Sequence, residues 1–357
     1  MAITDEALSG PYDASSRLLK FFCADAPDSG AVTKIADGVF WLRMPLPMKG
    51  LDHINLWFLE DGENWTVIDT GIGSRESKAI WNSVFKDHMM GAPVSRVIVT
   101  HLHPDHAGLA GWICDKFDAP LVMTRGEYFL CRLMAADTGH PAPRAGIDFY
   151  RRAGFTEEQI DLYKARFGGF GKAISRLPHG YHRIKDGSTL QIGGREWKVI
   201  VGAGHSPEHA CLYCEDLKLC ISGDQILPNI SSNVSVWPTE PQGNPMGDWI
   251  ASCHKLRGAI PEDTLICPAH GIPFYGVHRR LDKLILHHEK ALDRLLALCT
   301  TPHLATEVYS ALFRRTINDG NRLLAVGEAV AHLHCLIERG QMRRLINDAG
   351  QFTYQTV

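Results

Sequence analysis

The sequence predicts an α/β protein in which two packed β-sheets carry helices on their outer faces, with a helical insertion and a mostly helical C-terminal unit. Short β-branched and aromatic runs followed by helical patterns occur twice along the chain, which indicates two such sheets. Residues 125–185 break this strand rhythm, and the chain from about Tyr275 onward places apolar residues at helical spacing. With 357 residues, the chain is long enough for a large core plus an appended unit.

The strand-rich regions can be followed element by element. In the first half, strands are predicted for VFWLRMPL, INLWFLED, WTVIDTG, SRVIVT and PLVMT, and helices for SRESKAIWNSVFKDHM and from about Ala107. In the second half, strands are predicted for STLQIGG, EWKVIVGAG, ACLYCED, LKLCISGD and DTLICPAHG. Cys211 and Cys214 lie three residues apart on one predicted strand, so their side chains point to opposite faces and cannot share a metal ion. We therefore interpret them as core cysteines.

The insertion at residues 125–185 is predicted to be helical, aromatic and basic. It holds eleven Lys and Arg against six Asp and Glu, in a chain whose net charge is -3. A basic insertion in an acidic protein suits a lid over an anionic substrate, and a solvated helical face over an ordinary aromatic core is an equally weighted interpretation. On the lid hypothesis, the substrate-binding candidates are Arg132, Arg144, Arg151, Arg152, Lys164 and Arg166.

The C-terminal unit is predicted for residues 273–357, after a catalytic domain that spans residues 1–272. Its helices are predicted for HRRLDKLILHHEKALDRLLALC, ATEVYSALF and AVGEAVAHLHCLIERGQM, followed by a short hairpin, MRRLINDAGQFTYQ. Three helices and a terminal hairpin describe a winged-helix-like unit. The unit has eleven Lys and Arg against eight Asp and Glu, a smaller excess than nucleic-acid binders usually have.

Composition excludes several classes of protein. The small net charge gives no overall attraction to nucleic acid or to acidic membranes, and no apolar run approaches the roughly 20 residues of a membrane helix. The N-terminus carries Asp5 and Glu6 where a secretory signal would carry lysines. Ten scattered cysteines suit a reducing compartment, so a cytoplasmic location is expected.

A histidine-rich string that directly follows a predicted strand indicates a metal site. Three imidazoles and one carboxylate within six residues are costly to place together unless a positive ion holds them, and they are preferred ligands of zinc and its neighbours. Three further candidates each follow another predicted strand, in a turn that contains Gly or Pro, so one edge of the fold can collect all of them. The candidates are His101, His103, Asp105, His106, His205, Asp224 and His270.

The order and approximate separation of these motifs resemble those of the metallo-β-lactamase superfamily. The resemblance includes the HxHxDH string at residues 101–106, the later GH, SGD and AHG motifs, and the strand motif VIDTG at residues 67–71. It covers about residues 31–272, with the basic insertion interrupting it. The resemblance implies the αββα sandwich of that superfamily.

The resemblance also implies two divalent metal ions per chain. One ion would be held by His101, His103 and His205, the second by Asp105, His106 and His270, with Asp224 bridging the two. Asp69 would support the metal loop by hydrogen bonding rather than by ligation. Zinc is the default ion for such ligands, and iron and manganese tolerate them as well.

A dinuclear site of this kind implies hydrolysis by a metal-bound hydroxide, because the pKa of water held there falls to about 7. Asp105 would orient this nucleophile or pass its proton to the leaving group. The leading hypothesis is a hydrolase of an ester or thioester, with a small-molecule substrate such as an anionic acyl thioester. The basic insertion favours it, because such a substrate is anionic. Asp224 argues against the antibiotic-degrading members of the superfamily, which lack a bridging carboxylate, whereas thioesterases, lactonases and nucleases usually have one.

Three other functions stay open at this point. The runner-up is a phosphodiesterase or endoribonuclease, because a branch that includes such enzymes also carries a winged-helix-like tail after the final AHG. A persulfide dioxygenase uses a similar ligand set with one iron. A non-catalytic winged-helix regulator is disfavoured, because a degenerate metal domain would have lost some of the seven ligand positions.

Overall fold

A computed structural model describes residues 2–3, 19–48, 50–314 and 316–357 of the chain. Asp5 and Glu6, used above to argue against a secretory signal, lie outside the described residues. Two short strands come first, β1 (Ala2–Ile3) and β2 (Lys20–Phe21). Within these described ranges, no helix is both long and apolar enough to cross a membrane.

The first seven-stranded sheet follows the chain order. Its strands are β3 (Val32–Ala36), β4 (Val39–Met48), β5 (Leu51–Asp61), β6 (Asn64–Ile68), β7 (Val94–Ile98), β8 (Leu121–Met123) and β9 (His182–Arg183). Pairing is antiparallel from β3 to β6 and parallel from β6 to β9. The parallel half is the one that brings strand ends to a common edge.

The second seven-stranded sheet has the order β10-β11-β12-β13-β15-β16-β2. Its further strands are β10 (Thr189–Ile192), β11 (Arg195–Gly202), β12 (His209–Cys214), β13 (Leu219–Gly223), β15 (Leu265–Pro268) and β16 (Phe274–Tyr275). Only β13 and β15 pair in parallel within it. The short strand β14 (Ser231–Ser232) pairs with β1 outside both sheets.

Helices cover the outer faces of both sheets. They are α1 (Arg75–Asp87), α2 (Pro104–Ala107), α3 (Ala110–Phe117), α4 (Arg125–Ala136), α5 (Arg144–Arg152), α6 (Glu157–Arg166), α7 (Pro245–Ala259), α8 (Val277–Leu298), α9 (Tyr309–Leu312) and α10 (Arg322–Glu338). In α1, Ser74 accepts a capping hydrogen bond from Ser77 N at 3.0 Å, and Trp81, Val84 and Phe85 form the buried stripe. This is the helix that the sequence predicts there.

Three apolar clusters fill the layers. One lies between the two sheets, where Trp41 and Trp57 of the first sheet belong to the same cluster as Trp197 of the second. A second cluster joins the first sheet to α1, α3 and α4, and the third joins the second sheet to α7, α8 and α10. The αββα sandwich predicted from the sequence is confirmed, and strands in which both faces are buried explain why the strand signals are so apolar.

Cys211 and Cys214 occupy opposite faces of β12, as their spacing predicts. Cys211 belongs to the cluster under the C-terminal helices, whereas Cys214 belongs to the cluster between the sheets. Burial raises the pKa of both thiols. Both residues are therefore core cysteines.

The insertion divides between two layers. α4 buries Tyr128 and Cys131 in the cluster of the first sheet, whereas α5 and α6 send their buried aromatics into the cluster of the C-terminal helices. These aromatics are Tyr150 of α5 and Tyr163 of α6, and Phe155 from the turn between the two helices joins them. Much of the aromatic character of the insertion therefore serves packing.

The C-terminal unit is helical with a small sheet. α8 and α10 form as predicted, and the predicted hairpin is β18 (Met342–Ile346) with β19 (Phe352–Thr356), which β17 (His303–Leu304) extends to three strands. The helix predicted for ATEVYSALF is wrong in length, because α9 has only four residues. Glu307 accepts a hydrogen bond from Leu304 N in a local turn, and Phe313 is extended, which limits the helix at both ends.

Candidate metal centre

The seven ligand candidates all follow strands that end at one edge of the sandwich. β6 and β7 of the first sheet lead into Asp69 and the 101–106 loop, and β11, β13 and β15 of the second sheet lead into the other three candidates. Backbone hydrogen bonds join the sheets at this edge: Ala210 N donates to Thr100 O at 2.9 Å, and Asn55 N donates to Ala269 O at 2.6 Å. The loops are therefore held against one another by main-chain bonds.

Asp224 faces two separate sets of imidazoles. Its Oδ2 lies 3.3 Å from His205 Nε2 and 3.9 Å from His101 Nε2. Its Oδ1 lies 3.4 Å from His270 Nε2 and 3.5 Å from His106 Nε2. The structure thus brings the candidates into two groups, His101, His103, His205 and Asp224 in one, and Asp105, His106 and His270 in the other.

In three of the imidazoles, the hydrogen bond made by Nδ1 determines which ring nitrogen faces the carboxylates. His205 Nδ1 lies 2.7 Å from Asn233 O, His270 Nδ1 lies 2.7 Å from His53 O, and His106 Nδ1 lies 2.7 Å from Asp69 Oδ2. These partners are oxygens that can only accept, so each Nδ1 donates and the Nε2 atom of each ring is the one that faces the centre.

A cation between the ligand candidates would give their buried polar atoms partners. Among these candidates, the buried atoms without a hydrogen-bond partner are Nε2 of His106, His205 and His270, Oδ2 of Asp105 and Oδ1 of Asp224. Ligand atoms at about 2.0–2.2 Å from a tetrahedral ion lie roughly 3.3–3.6 Å apart, close to the spacings around Asp224. The donor set therefore fits two divalent cations of the transition series.

Electrostatics at the centre favour neutral imidazoles at His101 and His103 and ionised carboxylates at Asp105 and Asp224. Burial lowers the pKa of His101 and His103 well below the usual value for histidine, which keeps them in the form that binds metal. Burial alone would raise the pKa of Asp224, but the imidazoles of His270 and His106 lower it well below its usual range. Both effects leave lone pairs available for ligation.

Asp69 lies directly behind the metal loop. It has a left-handed backbone with φ of 59°, and its carboxylate accepts hydrogen bonds from Thr100 N at 2.8 Å, Thr100 Oγ1 at 2.7 Å and His106 Nδ1 at 2.7 Å. Of the seven ligand candidates, these three hydrogen bonds reach only His106. Its position is thus that of a support for His106 rather than of a ligand.

Two further residues at this edge orient the ligand candidates. His53 accepts the Nδ1 proton of His270 through its backbone carbonyl and accepts from Gly271 N at 2.9 Å through Nε2. His209 Nε2 accepts a hydrogen bond from Asp224 N at 3.0 Å.

Glu127 is a supporting residue that sequence reasoning did not identify. From α4 of the insertion, its buried carboxylate accepts from Leu102 N at 2.9 Å and from Glu208 N at 2.8 Å, which ties together the loops that carry His103 and His205. Burial raises the pKa of Glu127 to about 7. A glutamate in the first turn of a helix resembles an ordinary helix-stabilising residue, so no local signal marks it.

The six basic residues of the lid hypothesis have partners within the insertion or the C-terminal unit. Arg144, Arg151 and Lys164 form ion pairs with acidic residues of their own segment, and Arg132 donates to Tyr128 Oη at 3.0 Å. Arg152 lies over the Phe352 ring at 5.3 Å, and Arg166 donates to Asp319 O at 2.6 Å. The structure does not bring these six into contact with the ligand candidates through those bonds.

Comparison with known proteins identifies two matching families. A model described as the metallo-beta-lactamase superfamily matches residues 50–270, and one described as the metallo-beta-lactamase-like C-terminal domain matches residues 292–357. The first match alone includes more than half of the chain and all seven ligand candidates. The second lies within the C-terminal unit.

Three individual proteins are similar over most of the chain. The crystal structure of a beta-lactamase domain protein from Burkholderia ambifaria is 38% identical, with a TM-score of 0.88 over 97% of this chain and 100% of that one. The probable metallo-hydrolase YqjP of Bacillus subtilis is 25% identical over 84% of this chain and 92% of its own. The acyl-coenzyme A thioesterase MBLAC2 of Bos taurus is 23% identical over 66% of this chain and 79% of its own.

Proposed function

The chain belongs to the metallo-beta-lactamase superfamily and is a metallo-hydrolase of that superfamily, and from this premise we propose that it hydrolyses a thioester or ester at a centre of two metal ions. The single observation that carries the dinuclear proposal is the two-sided position of Asp224. One of its carboxylate oxygens lies 3.3 Å from the imidazole of His205, and the other lies 3.4 Å from that of His270. A carboxylate that lies between two sets of ligand candidates is suited to bridge two metal ions.

The proposed roles divide among the chain's own residues. His101, His103 and His205 would hold one ion, Asp105, His106 and His270 would hold the second, and Asp224 would be shared by the two sets. Two such ions would supply Lewis acidity toward the carbonyl oxygen and an activated water at neutral pH. Asp69 keeps His106 in the required tautomer, and the buried imidazole of His101 stays neutral, so the charge that the ions bring is not opposed by a proton there.

Asp105 is the proposed proton carrier. Its buried carboxylate lies 3.4 Å from His270 Nε2 through Oδ2. Burial alone would raise the pKa of Asp105, but the imidazoles of His106 and His270 hold it below the usual range, so the carboxylate enters the reaction ionised and able to accept a proton. Asp105 would take the proton that the attacking water loses and pass it to the thiolate or alkoxide that leaves when the acyl–sulfur or acyl–oxygen bond breaks.

The thioester preference rests on similarity and on charge. The mammalian relative that matches two thirds of this chain bears the name of an acyl-coenzyme A thioesterase. The insertion is basic, and acyl thioesters of coenzyme A are anionic. Zinc is the proposed ion, with iron and manganese as alternatives for the same ligands.

A matched pair of substrates tests this proposal. One acyl group is supplied to the metal-analysed, full-length chain as the coenzyme A thioester and as the neutral N-acetylcysteamine thioester, alongside the oxoester, a phosphodiester and RNA. We expect thioester hydrolysis that falls by orders of magnitude in Asp224→Asn, with the exposed Asp216→Asn as the control. Cleavage of the phosphodiester or RNA alone would favour the nuclease alternative.

The lid is tested with charge-neutralised variants in the same assay. Arg144→Gln and Lys164→Gln are expected to raise KM for the coenzyme A thioester and leave the neutral thioester unchanged, because rim charges act on encounter and binding. Lys218→Gln removes a surface cation outside the insertion, also one that forms an ion pair, and serves as the control. An equal response to both substrates would make the insertion only a scaffold.

A further inference from the structure

The segment that follows Asp224 lies between the metal centre and the C-terminal helices. Arg280 of α8 donates from Nη2 to Ile230 O at 2.6 Å and from Nε to Leu227 O. Ser232 Oγ donates to the backbone carbonyl of Asp224. The loop behind the bridging carboxylate is thus held from the C-terminal side.

A continuous hydrogen-bonded path runs from α10 to a ligand candidate. Asn233 Nδ2 donates to Glu328 Oε2 at 2.8 Å, and the backbone carbonyl of Asn233 accepts from His205 Nδ1 at 2.7 Å. Ser235 Oγ donates to Asn233 Oδ1 at 2.6 Å, and Val236 N donates to Gly327 O at 3.0 Å. Asn233 is therefore fixed through both side-chain atoms and its neighbours.

Glu328 is unusual for its position. It lies in a stretch of α10 in which every residue from Ala325 to Leu336 is buried, and only 7% of its own surface is exposed. Burial raises the pKa of Glu328 to about 8. Within the part of the chain that the structure describes, Asn233 is the one hydrogen-bond partner shown for its side chain. A carboxyl group in such a place costs stability that an apolar residue would not.

We propose that Glu328 is a positioning residue of the metal centre, which through Asn233 fixes the tautomer and direction of His205, so that the C-terminal helices complete the metal site. His205 Nε2 can face Asp224 Oδ2 as a lone pair only while Nδ1 donates to the Asn233 carbonyl. The role in metal binding rests on the proposed function, whereas the tautomer of His205 does not.

The tautomer of His205 is measured directly by ¹⁵N NMR of the imidazole nitrogens in metal-free protein. We expect a proton on Nδ1 in the wild type and in Glu328→Gln, whose amide oxygen still accepts from Asn233. In Glu328→Ala we expect a mixture of tautomers. Glu338→Ala, an exposed position at the end of the same helix, is the control. An unchanged single Nδ1–H tautomer in Glu328→Ala would overturn the proposal.

Zinc binding, measured by competition with a chelator, is the second readout. Loss of a residue that orients a ligand typically lowers metal affinity about 10–100-fold, and we expect such a loss in Glu328→Ala with recovery in Glu328→Gln. The paired change Glu328→Leu with Asn233→Leu removes the polar pair together, which is close to neutral for folding. We expect that variant to remain folded and still to lose affinity, and wild-type affinity there would overturn the proposal.

The two readouts separate this proposal from the proposed function. Suppose that the wild type binds no zinc, and that the Nδ1–H tautomer persists in the wild type and in Glu328→Gln but not in Glu328→Ala. That result would overturn the metal centre and keep the link between Glu328 and His205. If instead the wild type binds two zinc ions and substitution of Glu328 leaves the zinc affinity unchanged, the metal centre would stand and the role of Glu328 in it would be overturned.

Discussion

The carboxylate of Asp69 accepts three hydrogen bonds while almost fully buried, two from Thr100 and one from His106 Nδ1. An asparagine in its place has only one acceptor atom, so its NH2 group would face at least one of these three donors. We expect Asp69→Asn to lower zinc affinity about 10–100-fold while the secondary structure persists.

Zinc competition and circular dichroism measure both parts of this prediction. Asp118→Asn is the matched control, because Asp118 is exposed and shares the left-handed backbone of Asp69, with φ of 51° against 59°. Equal zinc affinity in Asp69→Asn and Asp118→Asn would show that Asp69 has no supporting role.

Glu328 gives the stability a defined pH dependence. Its pKa rises from 4.5 to about 8 on burial, so the folded chain favours the protonated carboxyl. The stability that protonated Glu328 contributes is fully present below the unfolded pKa of 4.5. It is lost as pH rises from there through the folded pKa of about 8. We expect the free energy of unfolding of the wild type to fall relative to Glu328→Gln over this window, measured by urea denaturation. A constant difference between the two proteins across it would contradict the prediction.

The residues that sequence reasoning found and those that it missed differ in their surroundings. The ligand candidates sit in short motifs directly after strands, so local pattern and strand ends were enough to select them; their role as ligands stays a prediction. Glu127, Asn233 and Glu328 occur in no motif, because their contacts join segments that are 81 and 95 residues apart in the chain. Only the packing of helices on loops brings them together.

Helices and strands were predicted best where a single local signal in the sequence determined the type of element. β4 and β5 are runs of apolar and aromatic residues, and α1 has a cap and one apolar stripe, so both kinds of signal were unambiguous. α9 was overextended because its apolar residues are buried in an irregular segment rather than on one face of a helix. The docking of α5 and α6 on the C-terminal unit had no sequence signal, since aromatic side chains do not reveal their partners.

At the scale of elements, the C-terminal helices cover α7, which itself packs on β11 of the second sheet. A chain that ends at residue 272 would leave α7, with its buried residues Trp249 and Leu256, without α8 and α10 against it. We expect this truncated protein to aggregate, because the exposed face is apolar and continuous. Light scattering and size-exclusion chromatography measure the outcome.

Leu286→Gln is the control for truncation, because Leu286 lies on α8 but its side chain is 49% exposed, so this substitution removes little buried apolar surface. It should leave the protein monomeric or in its native assembly. A truncated chain that stays soluble, monomeric and able to bind metal would show that residues 1–272 form an independent domain.

For the molecule as a whole, metal and stability are linked. Without cations, the lone pairs of three imidazoles face carboxylate oxygens in a buried space. We expect about two ions per chain by elemental analysis, and a stabilisation of about 4 kcal/mol when free metal exceeds its Kd a thousandfold. Thermal unfolding with and without a chelator measures this stabilisation.

Adding zinc back to the chelated protein is the control for irreversible damage. It should restore the original melting temperature. A stoichiometry near one, with Asp105→Ala and His270→Ala retaining full metal content, would exclude the second ion. A melting temperature indifferent to chelation would exclude both.

The sandwich itself was predictable because its strands are apolar, short and separated by clear turns, and because motifs repeat at strand ends. The sequence could not reveal that three distant parts of the chain share one core. That cluster contains Cys211 of the second sheet, Tyr150 of the insertion and Val330 of α10.

This shared core has a consequence for biosynthesis. His101 and His103 emerge from the ribosome about 225 residues before Glu328, which at 5–20 residues per second corresponds to roughly 10–45 s. During that interval the nascent chain already carries its histidine loop, whereas the face of α7 that packs on α10 is still uncovered. The core that the second sheet, the insertion and α10 share can therefore close only after α10 has left the ribosome.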